Sequence, residues 1–186
     1  MMDNAKLKKE ANDLVDGCGL SELLVPYQAW FIGGSYSYDL MCWRDLDIYI
    51  LDSQHNLNPC FDVARELTIR LAAKKSRFTN NIGGQPNGLY WGIKLGNERQ
   101  GAWKLDLWFL DQASYEQHAA YSAAMRNRLT PETSAAIISI KEAYWQRPEY
   151  RDTVTSSMIY NAVFDNGVRD LAGFERFKES LHSSAP

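Results

Sequence analysis

The 186 residues of this chain predict an α/β (α+β) fold: a small mixed, twisted β-sheet with flanking helices, followed by a C-terminal helical segment. Three observations carry that expectation. Short runs rich in β-branched and aromatic residues alternate with helical periodicity as far as residue 110. From Asp111 onward strand signals vanish and helical ones dominate. Length and an ordinary composition, 45% hydrophobic and 23% charged, suit one domain with a helical appendage. The expected division is residues 1–112 for the core and 113–186 for a helical segment packed on it.

Asn4–Val15 reads as a helix, with Leu7, Ala11, Leu14 and Val15 on one stripe and Gly17 and Gly19 ending it. Ser21–Val25 reads as a helical turn that Pro26 stops. Strands are expected at Gln28–Ile32 and Leu46–Leu51, with a short helix over Tyr36–Trp43 between them. Asn58 as N-cap with Pro59 at the first position predicts a helix to Lys74, with Phe61, Ala64, Leu67 and Leu71 facing the core. Further strands are expected at Ser76–Asn81, Leu89–Leu95 and Ala102–Leu110, the last two joined as a hairpin. The stretch Ile82–Gly88 reads as a loop, either a plain connection or a lid. Helices then follow over Ser114–Leu129, from Thr130-Pro131 to before Pro148, and over Asp152–Asp165 and Asp170–Leu181.

The stretch Trp30–Leu51 asks for a function. Its apolar start is followed by Gly33-Gly34-Ser35, and then Arg44-Asp45-Leu46-Asp47 runs straight into Ile48-Tyr49-Ile50-Leu51. Aspartate is depleted in strands, so two of them entering such a run need a reason. Strand alternation puts Asp45 and Asp47 on one face, with Leu46 and Ile48 on the other. Adjacent carboxylates repel unless a cation lies between them, and a hard divalent cation such as Mg²⁺ takes carboxylates together with phosphate oxygens. The glycines let backbone approach an anionic ligand closely. Later, Asp106 sits in another apolar strand-like run, sharing a face with Lys104 and Trp108.

A Gly-Gly-Ser turn, then Asp-x-Asp entering a hydrophobic run, then a third aspartate on a later strand resembles the nucleotidyltransferase superfamily that includes polymerase β. The resemblance covers roughly Phe31–Leu110 and is closest to small bacterial stand-alone nucleotidyltransferases. It implies Asp45, Asp47 and Asp106 as catalytic residues and metal ligands, with Mg²⁺ as the metal and Mn²⁺ as an alternative. It places Gly33, Gly34 and Ser35 at the phosphates of a nucleoside triphosphate. Lys104, with Lys94, is a candidate for neutralising those phosphates or else a solvated edge lysine. The implied reaction moves a nucleoside monophosphate from the triphosphate to a hydroxyl of a small-molecule or protein acceptor, releasing pyrophosphate. Two other readings share the fold: a pyrophosphokinase of the guanosine tetraphosphate type, and a non-catalytic nucleotide-binding module.

The totals narrow the choice. A net charge of −3 argues against a protein held on a nucleic-acid template by broad charge, because that binding wants a basic face. Cys18, Cys42 and Cys60 show no metal-ligand spacing and read as thiols in a reducing compartment. His55, His118 and His182 have no ligand partner at useful spacing. The polar N-terminus lacks the apolar region of a signal peptide, and no run approaches the length of a membrane span, so a cytoplasmic protein is expected.

Overall fold

The structure, a computed structural model, describes residues 4–183, with side chains as far as Leu181; His182 therefore lies outside the described side chains. The chain forms two compact units, one running to Arg126 and the other starting at Asn127.

The first unit is built on a five-stranded sheet with strand order β1-β2-β5-β4-β3. The strands are β1 (Trp30–Ile32), β2 (Asp45–Leu51), β3 (Lys75–Asn81), β4 (Gly88–Lys94) and β5 (Lys104–Leu110). β2 and β5 run parallel, and the other neighbours are antiparallel. The mixed α/β architecture expected from the sequence is the one observed.

Alternation gives the sheet two different faces. Leu46, Ile48 and Ile50 of β2 join Leu105, Leu107 and Phe109 of β5 and Leu89 and Ile93 of β4 in the core. α1 (Asn4–Gly17) brings Leu7, Ala11 and Val15 to that cluster, and α4 (Leu57–Arg70) brings Cys60, Val63 and Leu67. Full burial of each large aliphatic side chain contributes about 1.5–3 kcal/mol, so this face dominates the unit's stability. The opposite face carries the charged residues of β2 and β5.

α4 starts two residues earlier than its proline signal suggested, with Asn56 at the N-cap. Its buried stripe is Cys60, Val63, Ala64 and Leu67, and Phe61 is 43% exposed. Phe61 instead packs on Phe78 and Trp91 at the sheet's edge, with ring centroids 4.8 and 5.0 Å away. The helix expected over Tyr36–Trp43 is only one turn, α3 (Gly34–Ser37), between α2 (Leu20–Leu23) and β2. Asp39 has a left-handed φ of 57°, which ends helical propagation.

α5 (Gln112–Arg128) is capped by Asp111, whose Oδ1 accepts the Ser114 N–H at 2.8 Å. The Ser114 Oγ accepts the Asn87 N–H, while the Asn87 amide donates to Asp111 Oδ2 at 2.6 Å. These bonds fasten Asn87, near the end of the Ile82–Gly88 loop, to the start of α5.

The second unit contains α6 (Pro131–Tyr144), α7 (Ser156–Asp165) and α8 (Leu171–Ser183). Thr130 caps α6 with Pro131 inside the first turn, as the sequence indicated, and Thr133 returns the bond to complete a reciprocal cap. Ile137, Ile140 and Tyr144 are fully buried, and Tyr144 meets Phe174 edge-on at 5.4 Å. α7 starts later than expected, at Ser156, because Thr155 takes the Met158 N–H as its N-cap. No described helix is long and apolar enough to cross a membrane. Cys18, Cys42 and Cys60 are buried thiols.

Candidate active site

The register of the sheet gathers the charged residues. On parallel neighbours, Asp47 pairs with Asp106 and Asp45 pairs with Lys104. With side chains alternating, Asp45, Asp47, Lys104 and Asp106 share the face opposite the hydrophobic core. Asp106 is buried to 9% of its accessible surface, and Lys104 is only 15% exposed at its side chain.

Lys104 does not extend freely toward solvent. Its Nζ donates to Asp106 Oδ2 and lies 3.6 Å from Asp45 Oδ1. Burial alone would lower its pKa. The charges of Asp45 and Asp106 and the bond to Asp106 outweigh that, and hold it above the ordinary lysine value. Lys94, in register beside Lys104, is turned away to Glu98 at 2.5 Å.

Tyr90 completes the environment of Asp106. Its hydroxyl donates to Asp106 Oδ1 at 2.6 Å. The ring packs on Trp108 at 4.7 Å. Gly92 stands opposite Asp106, and a Cβ there would come within 2.5 Å of the Tyr90 hydroxyl. Burial, then the Asp106 charge, push the Tyr90 pKa up, so the phenol stays a proton donor.

The Gly33-Gly34-Ser35 turn rests on Asp47. The Gly33 N–H donates to the Asp47 carbonyl at 2.8 Å, which ties the turn to β2. Gly34 has φ +56°, and a Cβ there would overlap Asp47 Oδ2. Only glycine lets the backbone adopt this conformation and lie directly on the carboxylate. The amides of Gly34 and Ser35 open α3, where no preceding turn offers a carbonyl.

Beyond the carboxylates the same face becomes aromatic. Tyr49 stacks on Phe31 at 5.1 Å and on His118 of α5 at 4.4 Å. Burial raises the Tyr49 pKa and lowers that of His118, so both rings are held neutral. Arg44 points elsewhere, reaching Glu10 at 2.8 Å and the Gly101 carbonyl at 3.1 Å.

The donor set fits a hard divalent cation. Asp45 and Asp106, on adjacent strands, both lie beside the Lys104 ammonium, so their oxygens already favour a cation, and carboxylate oxygens are the ligands such a metal takes. Among the described residues, no group of three or more His, Cys, Asp or Glu side chains is placed to hold a metal ion as it stands, and the Lys104 ammonium occupies the position between Asp45 and Asp106. Tyr90 and Gly92 carry no motif in the sequence and come to the site through the strand register, and His118 comes from α5 by stacking on Tyr49.

No family model matches the sequence, and no curated protein does. Solved structures do match the fold. Cid1 poly(U) polymerase bound to MgATP is 16% identical, with a TM-score of 0.58 over 85% of this chain and 49% of that one. The same polymerase bound to MgGTP gives 15% identity and a TM-score of 0.55 over 85% and 49%. A cytoplasmic RNA terminal U-transferase gives 16% identity and a TM-score of 0.51 over 84% of this chain and 44% of that one. The chain thus spans about half the length of these proteins or less. The likeness establishes the nucleotidyltransferase fold.

Proposed function

We propose that this protein is a Mg²⁺-dependent nucleotidyltransferase that moves a nucleoside monophosphate from a nucleoside triphosphate to an acceptor hydroxyl. One observation carries the reading: a glycine turn that only glycine can make lies on Asp47, and Asp47 stands in register with Asp106. That places anion-compatible backbone beside paired carboxylates on the fold that Cid1 poly(U) polymerase uses with MgATP.

In this reading Asp45, Asp47 and Asp106 hold the metal, and Gly34 and Ser35 receive the triphosphate. The metal, when bound, neutralises the phosphates and the departing pyrophosphate. Asp106, oriented by Tyr90, faces the acceptor hydroxyl and takes its proton. The acceptor oxygen bonds to the α-phosphorus as the bridge to the β-phosphate breaks, and pyrophosphate leaves with the electron pair. His118, Tyr49 and Phe31 form a rigid aromatic wall beside this centre.

A small molecule or a protein is the proposed acceptor, supported by the net charge of −3, which disfavours a long polyanion. The RNA terminal U-transferase of the same fold makes an RNA 3′ hydroxyl the next acceptor to try. The test is a reaction with α- and γ-labelled triphosphates, Mg²⁺ and panels of the three acceptor classes. Transfer of the α label with pyrophosphate release supports the proposal. Transfer of the γ label with release of nucleoside monophosphate indicates a pyrophosphokinase, and transfer of neither indicates a binding module.

A further inference from the structure

Three carboxylates on neighbouring positions of one face need a counter-charge even before any ligand arrives. The fold supplies it from its own chain. Lys104 lies on β5 two residues before Asp106 and directly across from Asp45, and its ammonium sits between them. The two oxygens of Asp106 are engaged differently. Oδ1 takes the Tyr90 hydroxyl, whose ring is packed on Trp108 over Gly92. Oδ2 takes the Lys104 ammonium, at the end of a four-carbon stem with freely rotating donors. Tyr90 is built to stay, and Lys104 is able to leave.

We propose that Lys104 is a resident counter-ion, which holds the carboxylates of Asp45 and Asp106 together in the metal-free protein and yields its place to the incoming divalent cation. This inference rests on the nucleotidyl-transfer reading of the same carboxylates. It gives that site two properties. Metal affinity is the outcome of a competition, weaker than the donor set alone would give. The displaced ammonium remains on the same face, within its stem's reach of phosphates carried by the metal.

Mn²⁺ titration followed by electron paramagnetic resonance tests this on wild type, Lys104→Met and Asp47→Asn, without nucleotide or turnover. Losing a competitor held by a charge-assisted hydrogen bond should tighten Mn²⁺ binding about tenfold in Lys104→Met. Asp47→Asn should weaken binding. A second measurement needs only wild type, in case Lys104→Met folds poorly. Acetic anhydride labelling, read by mass spectrometry, should modify Lys104 severalfold faster once Mn²⁺ is added. Equal Mn²⁺ affinity in wild type and Lys104→Met, lost in Asp47→Asn, overturns the counter-ion role and leaves the metal site standing. Unchanged labelling of Lys104 while Mn²⁺ binds overturns it equally. Absence of Mn²⁺ binding in both wild type and Lys104→Met overturns the metal reading together with the inference.

Discussion

Asp47 and Asp106 stand directly across from each other on the parallel pair β2 and β5, with a glycine turn seated on the first and a tyrosine hydroxyl on the second. Each carboxylate is thus oriented by a neighbour with no room to spare, and each neighbour can be changed by one substitution.

Gly34→Ala should destabilise the protein by about 1–3 kcal/mol, the cost of a non-glycine residue held in a left-handed conformation. It should also abolish nucleotide binding, because the new methyl overlaps Asp47 Oδ2. Gly83 is the control: its φ is +82°, and a Cβ there meets nothing within 4 Å. Urea melts and triphosphate titrations should show both variants destabilised and only Gly34→Ala unable to bind. Normal binding by Gly34→Ala would separate the turn from the site.

Tyr90→Phe removes the donor to Asp106 Oδ1 and keeps the ring against Trp108. A hydrogen bond to a buried carboxylate contributes about 1.5–3 kcal/mol, so a stability loss of that order is expected. As a positioning residue for Asp106, Tyr90 should influence kcat more than nucleotide affinity. Steady-state kinetics in which only KM rises would contradict that role.

His118 supplies a pH signature. Burial lowers its pKa from the ordinary 6.5, so the folded protein prefers the neutral ring stacked on Tyr49. A depressed folded pKa means that its contribution is intact above 6.5 and is lost as pH falls toward the folded value. Denaturant melts from about pH 7 to about pH 5 should show wild type losing stability faster than His118→Phe. Parallel pH profiles would show that His118 is not held neutral.

Much of the fold was legible because period and alternation were clear. The Asp45–Asp47 face, the Thr130 cap and the buried stripe of α6 follow from local pattern alone. Other features depend on partners far away in sequence. Nothing local says that β5 lies beside β2 with Asp106 level with Asp47, or that Tyr90 comes to rest over Gly92. Phe61 suited a core position by spacing, but the buried stripe passes through Cys60 and leaves Phe61 to an aromatic cluster at the sheet's edge. The helix after Ser35 was overestimated, because left-handed Asp39 carries no proline or glycine to announce it. Lys104 was expected on the face of Asp106, either at phosphates or as a solvated edge lysine; its burial between Asp45 and Asp106 depends on the β2–β5 pairing, which nothing local announces.

The most direct measurement is calorimetric titration of wild type and Asp47→Asn with non-hydrolysable triphosphates, in Mg²⁺ and in EDTA. Asn is nearly isosteric with Asp, so thermal melts of the two metal-free proteins should agree closely. Removing a metal ligand from a site that carries phosphate charge commonly costs several kcal/mol. The account predicts binding to wild type in Mg²⁺, and loss of that binding both in EDTA and in the folded Asp47→Asn protein. Equal binding in EDTA, or by folded Asp47→Asn in Mg²⁺, would place the nucleotide elsewhere and contradict the assignment of this face as the active site.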